Sequence, residues 1–182
     1  MAKVKQVYGD RLRVNWKNFA LEEINKKQSP EWHVWDQPDD YPSRSLPAFR
    51  AAEAARRQGP QAYDRMHFEL LEGRHERRRD FRDASHIEEM AQRAGLDLPR
   101  FRRDVADRSL LQRVASDHIE AVTKYGVFGT PTFHFPGAQP FFMRIKPLDD
   151  AQANARTFES LYSVFVAQDN IDEVKRPHLP QG

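Results

Sequence analysis

The stretch "YGVFGTPTFHF" (125–135) places Pro131 two residues after a glycine and directly before an apolar, strand-like run. A proline there has no N–H to give to a central ladder. It therefore marks the first residue of a strand, a tight turn or a cis bond. "TPTFHF" (130–135) and "PFFMRI" (140–145) read as two short strands, and "PGAQ" between them predicts a hairpin turn. Asp149 and Asp150 then open a last helix at its positive end, with Phe158, Leu161, Tyr162 and Phe165 as its apolar stripe.

Upstream, "RLRVNWKNFAL" (11–21) alternates: Leu12, Val14 and Trp16 against Arg13, Asn15 and Lys17. That is the pattern of a strand with one buried face and a charged outer face that discourages edge pairing. Residues 25–45 carry Pro30, Pro38 and Pro42 and read as a long ordered loop. Its aromatics, Trp32, Trp35 and Tyr41, either pin the loop to the core or form a lip over a binding groove.

Between 45 and 125 the periodicity is helical. Ser45 is expected to cap a segment that stops at Gly59-Pro60. Tyr63, Met66, His67 and Leu70 follow at i, i+3, i+4, i+7. "SHIE" (85–88) has the form of a capping box, with Ile87, Met90, Ala91 and Ala94 as the stripe behind it. "LDLPRFRRDVAD" begins another short helix, and Leu111, Val114, Ala115, His118, Val122 and Tyr125 line one face of the next. The order is strand, several helices, hairpin, helix, an α/β arrangement with an embedded helical block.

Composition excludes several function classes. At 31% charged and 39% hydrophobic residues the chain is polar but globular. A net charge of only +2 argues against a nucleic-acid partner. No apolar run approaches the length of a membrane span, and the N-terminus has no signal-peptide pattern. The chain has no cysteine, so disulfides, thiolate nucleophiles and cysteine metal sites are excluded within it, and a cytoplasmic location is the simplest expectation. His67 and His118 lie on apolar helix faces without HExxH or paired-carboxylate spacing, which favours core or rim histidines over metal ligands. The basic run "RHERRRDFRD" (74–83) has interleaved acids and reads as a solvated helix end rather than a phosphate or acidic-partner site. No catalytic residue, metal or cofactor is expected.

"GVFGTPTFHF" resembles the cis-proline loop of DsbA-like proteins, which have a thioredoxin-like fold with an all-helical insertion. "VNWKNFALEEIN" (14–25) is similar to that family's second core strand and the loop after it, and "GLDLPRFRRDVAD" (95–107) resembles a helix pair of the insertion. The FrnE-like cytosolic subgroup is the nearest in pattern. The resemblance implies a thioredoxin-like core over 1–44 and 126–170, a helical insertion over 45–125, and a flexible tail over 171–182.

It also implies thiol–disulfide exchange as the function class. The implied substrate-binding residues are Gly129, Thr130 and Pro131. Thr130 offers backbone groups to an extended peptide, and Pro131 abuts the redox cysteines. The residues alone leave open that Gly129-Thr-Pro is only a tight start to a strand. "KVKQVYGD" (3–10) resembles the last turns of the family's first helix, so the first strand, the CxxC and most of that helix are expected to be missing, which makes the chain inactive as it stands. The alternatives are a redox-dead peptide-binding module and a glutathione-binding isomerase or transferase relative. The partners implied are a thiol or disulfide peptide or a glutathione-like ligand. Self-association through an open sheet is a further expectation, because the absent strand would lie between the 11–19 and 131–135 strands.

Overall fold

The computed structural model describes residues 1–146, 148–168 and 170–171. The chain packs as two compact units, one of residues 1–15 with 129 onward and one of residues 16–128. The tail expected from 171 lies outside the described residues, Ile171 apart.

In the first unit, α1 (Ala2–Tyr8) packs against α8 (Ala151–Phe165). Val4 and Ala155 are their buried residues. Asp150 caps α8, its carboxylate accepting from the Gln152 and Ala153 amides at 3.0 Å each. The Lys3 ammonium donates to the Leu148 carbonyl at 2.7 Å, and the Tyr8 hydroxyl donates to Glu159 at 2.5 Å. The expected hairpin is present but short. β1 (Thr132–Phe133) pairs antiparallel with β2 (Phe141–Phe142), Thr132 opposite Phe142 and Phe133 opposite Phe141. The hairpin rests on α8 through Phe135 against Phe158 and Tyr162, and Phe141 stacked on Phe165 at 4.6 Å.

The second unit is helical: α2 (Leu21–Ile24), α3 (Leu46–Arg56), α4 (Pro60–His75), α5 (Ala84–Arg93), α6 (Leu98–Val105) and α7 (Leu110–Tyr125). α3 is its hub. Ala51, Ala54 and Ala55 are wholly buried, and these small side chains let α4, α5, α6 and α7 all approach it. The periodic stripes fall where expected, with Tyr63, Met66, Leu70, Ile87, Met90, Phe101, Leu111 and Val114 buried. α7 ends at Gly126, whose φ of 59° is the left-handed turn that glycine takes at least cost.

Two expected caps differ. Ser85 does not cap α5. Asp83 does, accepting from the Ser85 amide and from the Ser85 hydroxyl, and Glu88 is drawn instead to Arg102. A carboxylate two residues earlier that takes both bonds outcompetes a hydroxyl that takes one. At α3, Ser45 makes no capping bond. Ser43 Oγ accepts from the Leu46 amide at 3.0 Å, while the Ser45 hydroxyl donates to Glu22.

The strand expected at 11–21 is also corrected. Residues 12–20 have no ladder partner among the described residues, although burial does alternate from Leu12 to Lys17. Helices, not a neighbouring strand, cover the inner positions from Trp16 on. Trp16 lies 4.1 Å from the His67 ring and donates to Asp64 at 3.2 Å, and Phe19 lies 4.7 Å from the His118 ring.

Asn18 anchors this segment. Its amide nitrogen donates to Glu53 at 2.9 Å and Asp117 at 3.1 Å, and its backbone N–H donates to Asp117 at 3.1 Å. All three residues are buried. Replacing Asn18 by Ala strips two buried carboxylates of a donor, and the expected loss is about 2–3 kcal/mol. Urea unfolding of the variant against the parent measures it. A loss within about 0.5 kcal/mol, the range of ordinary surface changes, would show that the network is not holding the segment.

Candidate functional site

Gly129, Thr130 and Pro131 lead into β1. The Thr130–Pro131 peptide bond is cis. Thr130 and Pro131 are exposed and Gly129 is half-buried. A Cβ on Gly129 would sit 3.3 Å from the Phe142 ring, a tight contact to which the ring would have to yield by a few tenths of an ångström. The Gly129 carbonyl accepts from the Thr132 hydroxyl at 2.7 Å, which folds the loop onto the start of the strand. The Pro131 carbonyl accepts from the Met143 amide at 3.2 Å and so extends the ladder by one bond beyond β2.

This bond fixes which backbone groups face outward. Antiparallel residues alternate between pairs that exchange hydrogen bonds and pairs that do not. With Pro131 bonded to Met143, Thr132 turns its N–H and C=O to the edge away from β2. Thr130 precedes it with neither its amide nor its carbonyl bonded among the described residues. The result is a short exposed edge with free or outward backbone donors and acceptors, the chemistry that an extended peptide pairs with.

Trp32, Trp35 and Tyr41 belong to the other unit, where they pin the 25–45 loop. Trp35 is buried, and Trp32 and Tyr41 pack beside Val34, Leu46 and Val114. Beneath them, buried Glu23 accepts from the Val34 amide at 2.9 Å, Lys26 at 2.7 Å and His33 at 2.8 Å. Burial pushes its carboxyl up, but these donors together hold it below the usual carboxylate range. His33 stacks on Trp35 at 5.0 Å. This anchor escaped sequence reasoning, since only the Glu23–Lys26 spacing hints at it.

Both helix-face histidines are core or rim residues. His118 accepts from the Ala20 amide through Nδ1 at 3.2 Å, and burial lowers its pKa, which fits a neutral acceptor. No cluster of three or more His, Asp and Glu suited to a metal exists among the described residues. The 74–83 run is paired within its own surface: Arg77 with Glu69 and Glu72, Arg79 with Glu89, Arg82 with Asp80. Among the described residues no helix is long and apolar enough to cross a membrane.

His67 is the group with a clear acid response. Burial against Trp16 and Tyr63 drives its pKa down to about 4, and its buried Nε2 has no hydrogen-bond partner among the described residues. The unfolded chain binds this proton near pH 6.5 and the folded chain only near 4, so stability falls as pH drops through that window. The expected contribution by pH 4 is up to about 3 kcal/mol, and His67→Phe should flatten that part of the profile. Thermal melts from pH 7 to 4 on both proteins check this. Parallel profiles would assign the acid loss to other groups.

No curated protein matches the sequence. The family model of the DSBA-like thioredoxin domain matches residues 1–154, most of the chain, and the chain belongs to that family.

Proposed function

We propose that this chain serves thiol–disulfide oxidoreductase-type chemistry by holding the substrate. An extended thiol or disulfide peptide, or a glutathione-like ligand, lies along the Gly129–Thr132 edge. The observation that carries the reading is the exposed Thr130 backbone, unbonded at both amide and carbonyl among the described residues, beside the outward-turned groups of Thr132. Backbone pairing there supplies affinity without demanding a particular side chain, which suits a substrate class as varied as cysteine-containing peptides. Pro131 fixes the loop, and Gly129 lets the backbone run close over Phe142.

These 182 residues hold no thiol, so no mixed disulfide can form on them. Recognition without dithiol chemistry is accordingly the activity expected of this chain by itself. The glutathione-binding isomerase reading uses the same edge with a smaller ligand. The open side of β1 is also a template for strand addition by a second copy.

Amide shift mapping tests the assignment. An S-methylated cysteine peptide should perturb Gly129, Thr130 and Thr132, and Thr130→Pro, which deletes one donor, should weaken it about tenfold. Insulin reduction by the protein should equal the buffer control. Perturbation by glutathione but not by the peptide would favour the isomerase relative. Silence of these three residues toward both ligands would remove the proposal's support.

A further inference from the structure

The helical unit contains a cleft of about 290 Å³ that thiol chemistry does not use. Its floor is apolar: Leu46, Phe81, Ile87, Phe101 and Leu111 are buried beneath it, with Val105 beside them. Its rim is cationic, formed by Arg50, Arg82, Arg102 and Arg108. Two carboxylates, Asp39 and Glu88, share that rim. Asp80, outside the lining, clamps Arg82 through both oxygens. Four guanidiniums against three carboxylates leave one positive charge without a counterpart.

Geometry locates that charge at Arg50. Arg102 is satisfied by both oxygens of Glu88. Arg108 donates to Asp39 at 2.5 Å and to the Gln37 carbonyl at 2.7 Å. Arg50 has a single bond, Nη1 to the same Asp39 oxygen at 2.8 Å, so one carboxylate oxygen serves two cations. Its side chain is only 14% exposed, and its Nε is buried with no partner among the described residues. Arg50 Nη2 makes no bond among the described residues, so the Nη1–Nη2 end of the guanidinium can receive a carboxylate in fork geometry.

We infer that this cleft binds a small monocarboxylate with an apolar body, such as an arylalkanoic acid, with the carboxylate on Arg50 and the body on the Leu46–Ile87–Phe101 floor. The volume sits at the lower end of small-molecule sites, which suits a single ring and a short chain rather than a polypeptide. One uncompensated charge matches a monoanion, whereas a phosphate dianion would bring excess negative charge beside Asp39 and Glu88. Asp39, 58% exposed, keeps its second cation in Arg108 as the anion seats on Arg50.

The probe is 3-phenylpropionate, compared with 3-phenylpropanamide, which keeps the shape and loses the charge. Methyl and amide shift titrations on the unaltered chain should show the acid perturbing Leu46, Ile87 and Val105, with the amide at least about tenfold weaker. Arg50→Gln should bring the acid down to the amide's affinity, while Arg77→Gln, remote from the cleft, should leave it unchanged. The amide comparison needs no variant and holds even where Arg50→Gln loosens the 37–41 loop. Equal binding of acid and amide, perturbation centred elsewhere, or no perturbation at millimolar probe would each overturn the inference.

Discussion

The carboxamide of Asn18, held between Glu53 of α3 and Asp117 of α7, is the constraint on which the helical unit turns. Each carboxylate also meets a cation, Arg56 on Glu53 and Lys17 with Arg113 on Asp117. Desolvating such a set costs about as much as its attractions return, so its net stabilisation is small and its effect lies in specificity. A slip of one residue would put Lys17 where Asn18 sits and turn Trp16 away from His67. The polar set thus selects one register for residues 16–20. That register delivers the Ala20 amide to His118 and starts α2, from which Glu23 reaches the 33–34 backbone.

From there the loop follows. Glu23 fixes His33 and Val34, Trp35 enters the core, and Asp39 is brought over the N-terminal half of α3 to meet Arg50 and Arg108. The cleft exists because α3 changes character along its length. Its C-terminal half presents Ala51, Ala54 and Ala55, which let neighbouring helices close on it. Its N-terminal half presents Leu46, Pro47 and Arg50 to the cleft. One helix therefore makes both the tight centre of the unit and the opening beside it.

The helix stripes were legible because their periodicity is local. Tyr63, Met66 and Leu70 share a face whatever lies opposite. The 11–21 stretch was misread for a physical reason: alternation reports one-sided burial and says nothing of what provides it. Here α4 and α7 cover Trp16, Asn18 and Phe19 where a ladder was expected. The "SHIE" box failed because Asp83 stands just outside the four-residue pattern and Glu88's partner is 14 residues away. Gly129, Thr130 and Pro131 stood out only through likeness to a family loop, since a glycine and a proline before a strand fit a plain turn equally well. The Asn18–Glu53–Asp117 set and the Asp39–Arg50–Arg108 bridge join residues 11 to 99 positions apart, and no spacing rule reaches across that.

A two-residue ladder is too short to stand alone, so the edge that carries Thr130 and Thr132 needs support from elsewhere. It comes from one face: Phe135 meets Phe158 and Tyr162, and Phe141 stacks between Phe133 and Phe165. Each such ring pair adds about 0.5–1.5 kcal/mol beyond the area it buries. These contacts act perpendicular to the ladder, whereas backbone pairing acts along it. The hairpin can therefore be held firmly by α8 while its outer edge stays unpaired. A longer flat edge would invite indiscriminate strand addition, whereas one of two or three residues has room for only a short extended segment.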